Sequence, residues 1–157
     1  MAKLHRKHKN IVGTKLTCAS VGKITRLAAE FDRSEFAVFG GQSDFLIAGM
    51  AVGSAGTISG FANVCPKVIR KIYDLYSSGK TDEALKLHRT AAFAEVIGKS
   101  GIANTKYGAS LTSAKAAGIE GAEEKLRPRR PYEPLTDAQK SDIRKIIGQT
   151  VEIEQSL

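Results

Sequence analysis

The chain contains no tryptophan, only four prolines and only two cysteines, Cys18 and Cys65, neither of them in a C-x-x-C pair. That excludes a disulfide framework and a zinc site of the usual spacing. The three histidines, His5, His8 and His88, are scattered, and His5 and His8 alone make a poor metal site. Long apolar runs are lacking too. The longest, FLIAGMAVG from Phe45 to Gly53, is about half the ~20 residues that cross a bilayer. The basic start MAKLHRKHK is followed by no apolar signal core, and no Arg/Ser-rich transit segment is visible. A cytoplasmic setting with no membrane partner is the expectation.

What is present is ordinary for a globular chain: 157 residues, 42% hydrophobic and 25% charged. The net charge of +8 comes partly from Lys3, Arg6, Lys7 and Lys9 and from Arg127, Arg129 and Arg130. No aromatic residue interleaves either cluster and no nucleic-acid motif accompanies them. They are expected to be solvated surface patches, with no nucleic-acid partner.

Hydrophobic spacing organises the rest. NIVGTKLT (10–17) is apolar and β-branched apart from Lys15, and reads as a strand over 10–16. Val21, Ile24, Leu27, Ala28 and Phe31 recur at helical spacing, predicting a helix over roughly 19–31. EFAVFGG is a second strand, after which Ser43 and Asp44 offer N-cap chemistry for a helix to about Gly53. GTISGFAN is a third short strand. Pro66 suits the first position of a helix carrying Val68, Ile69, Ile72 and Leu75. Thr81, followed by Asp82 and Glu83, starts another to about Gly98. A further helix is predicted over 106–117. RPRRPYEP is a proline-held extended linker, and Thr136 with Gln139 makes a capping box opening the last helix.

Strand, helix, strand, helix, strand, helix is the pattern of a parallel sheet with crossover helices, and an all-helical segment follows. Three strands leave two unpaired backbone edges, whereas a closed eight-stranded barrel needs about 250 residues. The chain looks like part of a larger sheet.

NIVGTKLT, FAVFGGQSDFL, GSAGTISGFANVCP and LRPRRPYEPLT, in that order, resemble the dihydrodipicolinate synthase and N-acetylneuraminate lyase family of Schiff-base-forming aldolases. The resemblance covers essentially the whole chain but only the C-terminal half of the family's length. It implies an α/β fold: the C-terminal half of a (β/α)8 TIM barrel, with strands six to eight and their helices in 1–98 and a C-terminal helical extension in 99–157. It also implies that Lys15 is the Schiff-base lysine, that Gly41 lies near the pyruvoyl carboxylate, and that the backbone of Ile58 lies beside the lysine. GGQSDFL departs from the G-D-D and G-x-D-E forms. It is similar to the G-S-A-S-F-L form of 4-hydroxy-2-oxoglutarate aldolases, and GTKLTC is similar to fungal enzymes that cleave 2-keto-3-deoxy sugar acids. Cleavage of a small-molecule 2-oxo acid to pyruvate and an aldehyde is the implied activity. The implied partners are a like chain or a complementary half-barrel. No metal or organic cofactor is implied.

Alternation along the strand places Ile11, Gly13 and Lys15 on one face. Barrel enzymes work at the C-terminal ends of their strands, and a dry pocket there disfavours an ammonium, so Lys15 is expected to be held as the nucleophilic amine. Thr17 and Ser43 could reach the aldehyde portion of the substrate, although helix capping explains both about as well. The family's proton-shuttling tyrosine and its carboxylate-binding hydroxyl pair lie upstream of the lysine, and only fourteen residues precede Lys15. Two readings stay open beside cleavage: a non-catalytic half-barrel assembly module and a synthase-type condensing enzyme.

Overall fold

Three short strands, β1 (Gly13–Leu16), β2 (Ala37–Gly40) and β3 (Gly56–Thr57), run parallel in the order β1-β2-β3. The register sets Lys15 opposite Phe39 and Phe39 opposite Gly56. The computed structural model describes residues 1–157, which divide into two compact units, Met1–Ser59 and Gly60–Leu157. The first holds the sheet together with α1 (Ala2–Lys7), α2 (Val21–Glu30) and α3 (Leu46–Ala51).

Burial explains the assembly of this unit. Val38 from β2 joins Ile24, Phe31 and Phe36 in a core, and Leu16, Leu27, Phe45 and Val52 pack against it. Strand parity then turns Lys15 and Phe39 to the opposite side of the sheet. Glycine is required where β1 meets β2, because a Cβ on Gly13 would fall 2.5 Å from the carbonyl oxygen of Ala37. α1 is tied down by His5, which is buried. Its Nδ1 lies 2.8 Å from the carbonyl of Ile11 and its Nε2 lies 2.8 Å from the Glu35 carboxylate, with the ring edge-on to Phe31 and Phe36. The hydrogen bond from His5 holds the Glu35 carboxyl below its ordinary range.

Several local expectations are corrected. β1 begins at Gly13, and Ile11, placed above on the Lys15 face, precedes the strand and packs partly on the core. The third strand is only Gly56–Thr57, and GFAN turns instead into a 3-10 helix, Phe61–Asn63. Neither Ser43 nor Asp44 caps α3. Phe45 occupies that position with no side-chain cap, because Ser43 points its hydroxyl at Ser59. α2 starts at Val21, two residues later than expected, because the Ser20 hydroxyl accepts from the Lys23 N–H and so takes the capping position.

The second unit is helical: α4 (Pro66–Ser77), α5 (Thr81–Ala94), α6 (Val96–Lys99), α7 (Ile102–Leu111), α8 (Ser113–Ala116), α9 (Ala122–Lys125) and α10 (Asp137–Ser156). Pro66 opens α4 as predicted, and Val68, Ile69, Ile72 and Leu75 form its buried side. Thr81 lies inside α5, and Lys80 takes the capping position. The helix expected over 106–117 breaks at Thr112, whose hydroxyl donates to the carbonyls of Val64 and Gly108. That bond trades helical continuity for anchorage of the 3-10 turn. The Thr136–Gln139 capping box forms in full. At the far end of α10 the buried Glu154 carboxylate accepts from the N–H groups of Lys67 (3.0 Å) and Val68 (2.8 Å), capping α4 from a distance in sequence. No helix is long and apolar enough to cross a membrane.

Candidate functional site

The C-terminal ends of the three strands bring the sequence-selected residues of the first unit together. The N–H of Gly41 donates to the carbonyl of Leu16 at 3.0 Å, and that of Ile58 donates to the carbonyl of Gly40 at 2.9 Å, so β1, β2 and β3 are stitched together past the lysine. Gly41 presses on Thr17 so closely that a Cβ there would stand 2.7 Å from the Thr17 Cβ and nearer still to its Cα and Oγ1. Only glycine permits that approach. The Gly41 N–H is therefore committed to the strand, which removes it as a donor to a substrate carboxylate. α3, six residues long, adds no anion site of its own.

Lys15 projects from β1 into an open cleft of about 480 Å³ lined by Val12, Ala37, Phe39 and Ile58 among others. It is the one charged residue in that lining. The expectation of a dry pocket is not met here. Lys15 is exposed, Val12 is 63% exposed and Ile58 is 50% exposed, because this face of the sheet has no opposing strands within the unit. Desolvation strong enough to strip an ammonium of its water needs closure that three strands cannot supply.

Of the other candidates, Thr17 is exposed beside Gly41, and neither lines the cleft, whereas Ser43 is buried with its hydroxyl 3.2 Å from that of Ser59. The side chain of Ile58 faces the cleft next to Lys15. Two neighbours escaped notice in the sequence. The Thr57 hydroxyl lies 3.2 Å from the Gly40 carbonyl and 2.9 Å from that of Gln42, fixing the turn after β2. Ser59 is the partner of Ser43. Both lie in the GTIS segment at odd spacing from Ile58, so strand parity alone places them on the side away from the cleft. No group of three or more His, Cys, Asp or Glu gathers to hold a metal.

A primary amine beside an apolar wall at the end of parallel strands can condense with a carbonyl, and nothing charged beside it supplies acid–base help. Arg6, Lys9 and Arg127 of the basic clusters are engaged with Glu30, Glu35 and Glu124.

Known proteins share this sequence and fold. Residues 1–150 match the dihydrodipicolinate synthetase family. A Coccidioides immitis (strain RS) protein, provisionally named a mitochondrial 4-hydroxy-2-oxoglutarate aldolase, is 62% identical over 97% of this chain and 48% of its own length. The L-threo-3-deoxy-hexylosonate aldolase of Hypocrea jecorina is 39% identical over 96% of this chain and 47% of its own length. A crystal structure of a dihydrodipicolinate synthase family protein from Coccidioides immitis superposes with a TM-score of 0.94 at 60% identity, covering 99% of this chain and 51% of that one. The 4-hydroxy-tetrahydrodipicolinate synthase of Methylacidiphilum fumariolicum SolV gives 0.74 at 25% identity, covering 98% and 48%. The chain thus spans about half the length of the relatives it matches. With the family match over residues 1–150, the sequence identity and the fold in agreement, this chain belongs to the dihydrodipicolinate synthetase family.

Proposed function

We propose that this chain contributes the imine-forming half of a class I aldolase that cleaves a 2-oxo acid, with Lys15 as the nucleophile. The observation that carries the reading is the position of Lys15, the one charge in the cleft, paired with Phe39 across the sheet, in a lining that Ile58 shares. The neutral amine adds to the C2 carbonyl and the carbinolamine loses water to give a protonated imine. The C4 hydroxyl then gives its proton to water as the C3–C4 bond breaks, the electron pair of that bond moving into an enamine while the aldehyde leaves. Protonation at C3 and hydrolysis release pyruvate and regenerate the amine. Cleavage is preferred to condensation because the relatives that match nearly all of this chain, over about half of their own length, are named as aldolases.

The remaining candidates have defined parts in this reading. Gly41 lets the ends of β1 and β2 close up beside the substrate. Ile58 flanks the amine, Ser43 holds the turn after β2 from inside, and Thr17 presents its hydroxyl to the far end of the substrate. Residues 1–98 supply the barrel portion and 99–157 the helical extension. A 2-oxo acid and a covering polypeptide are the partners. The cytoplasmic setting stands against the mitochondrial name of the Coccidioides relative, and fractionation of cells expressing the complete gene distinguishes them.

Borohydride reduction in the presence of pyruvate tests the chemistry. A reduced pyruvoyl adduct is expected on Lys15 in preference to the other lysines, and Lys15→Ala should abolish it. The exposed amine should react slowly, since general acid–base help worth roughly 10²–10⁴-fold is absent. An adduct spread evenly over surface lysines of a folded sample refutes the assignment.

A second reading, a non-catalytic half-barrel, is favoured by the unpaired outer edges of β1 and β3. It predicts self-association or capture of the complementary half, with no adduct at Lys15. Sedimentation as a monomer, alone and when mixed with that half, removes it.

A further inference from the structure

The helical unit holds a second cleft, of about 1030 Å³, whose walls come from the 3-10 turn, α6, α7, α8 and α9. Its apolar lining includes Ile102, Ala109, Ala114, Ile119 and Leu126. Ile102 and Ile119 are 48% and 43% exposed, an unusual amount of branched aliphatic surface to leave facing water. Lys99, Lys106 and Lys125 also line the cleft, and no carboxylate does. The neighbouring acids of α9 are engaged elsewhere, Glu124 with Arg127 at 3.0 Å and Glu123 with Lys140 at 2.7 Å. The walls are held in place. The Thr112 hydroxyl donates to the Val64 carbonyl, and the Ser113 hydroxyl to the Asn63 carbonyl, fixing α7 and α8 to the 3-10 turn.

A preformed concavity with an apolar floor and like-signed charges at its rim has one complementary chemistry. We propose that this cleft is a binding site for a small amphipathic anion, a carboxylate on an aliphatic body, whose chain covers Ile102 and Ile119 while its head group sits among the ammonium groups of Lys106 and Lys125. The site shares no residue with the Lys15 cleft and does not depend on imine chemistry.

Decanoate, kept below its micelle concentration, is the probe, followed by amide chemical shifts and calorimetry on the full chain. Saturable binding is expected, with the largest shifts at Ile102, Ala109, Ala114 and Ile119. Replacing both Lys106 and Lys125 with methionine keeps the aliphatic bulk and removes two charges, each worth about a fivefold change near water. Affinity should fall roughly tenfold to thirtyfold with melting unchanged. 1-Decanol should bind no better than decanoate does to that variant, and Ile119→Asp should lose binding even if the lysine pair is kept. Lys15→Ala should bind decanoate as the parent does, whether or not Lys15 traps pyruvate. Absence of saturable binding, equal affinity for the neutral alcohol, or shifts outside the cleft would overturn the assignment.

Discussion

Gly41→Ala is the substitution that probes the strand-end geometry most directly. The added carbon would lie inside 3 Å of three Thr17 atoms, one of them the backbone Cα. Backbone cannot swing aside, so the ends of β1 and β2 must part by roughly 1 Å to restore van der Waals separation. Overpacking of this kind costs about 1–3 kcal/mol. Parting the strands also stretches the bond from the Gly41 N–H to the Leu16 carbonyl, which contributes about 1 kcal/mol more. The sum, about 2–4 kcal/mol, should lower the urea midpoint followed by circular dichroism by roughly 1–2 M. Because the same closure brings Thr17 and Gly41 up beside the lysine cleft, pyruvate trapping at Lys15 should slow in parallel. Adding Thr17→Ala should not rescue the variant, since the Thr17 Cα and Cβ remain in the way. Gly148→Ala, where an added Cβ meets nothing within 4 Å, should instead stabilise α10 by up to about 1 kcal/mol. A Gly41→Ala protein as stable as its parent would refute the close approach itself.

Glu154→Ala strips the N-terminus of α4 of two charge-assisted acceptors and should cost about 3 kcal/mol, with Glu154→Gln losing about half of that; a loss under about 1 kcal/mol for the alanine would mean water replaces the carboxylate. The Glu35 carboxyl is held below its ordinary value of 4.5, first by the His5 hydrogen bond. The stability it contributes is therefore complete above about pH 4.5 and is lost as pH falls through the lower folded value. Glu35→Gln should flatten the acid limb of the melting profile, and superimposable profiles would argue against the His5 tie. Burial, with the Glu154 charge adding to it, pushes the Cys65 thiol up to about 12, whereas Cys18 is exposed. A disulfide reagent at pH 8 should therefore titrate Cys18 in the native protein and Cys65 only after unfolding, and rapid native reaction in Cys18→Ser would contradict the packing around Cys65.

The family resemblance, rather than strand spacing, singled out Lys15, Gly41, Ile58 and Thr17, and the structure sets them at or just past the ends of β1, β2 and β3. Pro66 at the start of α4 and the Thr136–Gln139 box were legible in the sequence because each is a local φ or hydrogen-bonding preference that its own segment satisfies. Ser43 shows where locality ends. Its cap chemistry was available, but the hydroxyl of Ser59 made a buried partner that no short-range pattern announces. Thr112 likewise interrupts a helix that periodicity would continue, because the Val64 carbonyl needs a donor.

The order of strands and helices follows from the order of residues alone, since it is set by periods of two and 3.6 and by glycine and proline, and the motifs that mark the family are likewise read along the chain. Tertiary structure decided the rest. It bound the Gly41 N–H to Leu16, brought Glu154 onto α4, gathered the lysines around an apolar cleft in the helical unit, and left Lys15 in water. Exposure is a property of what packs opposite a residue, and the three-stranded sheet sets no strand opposite Lys15.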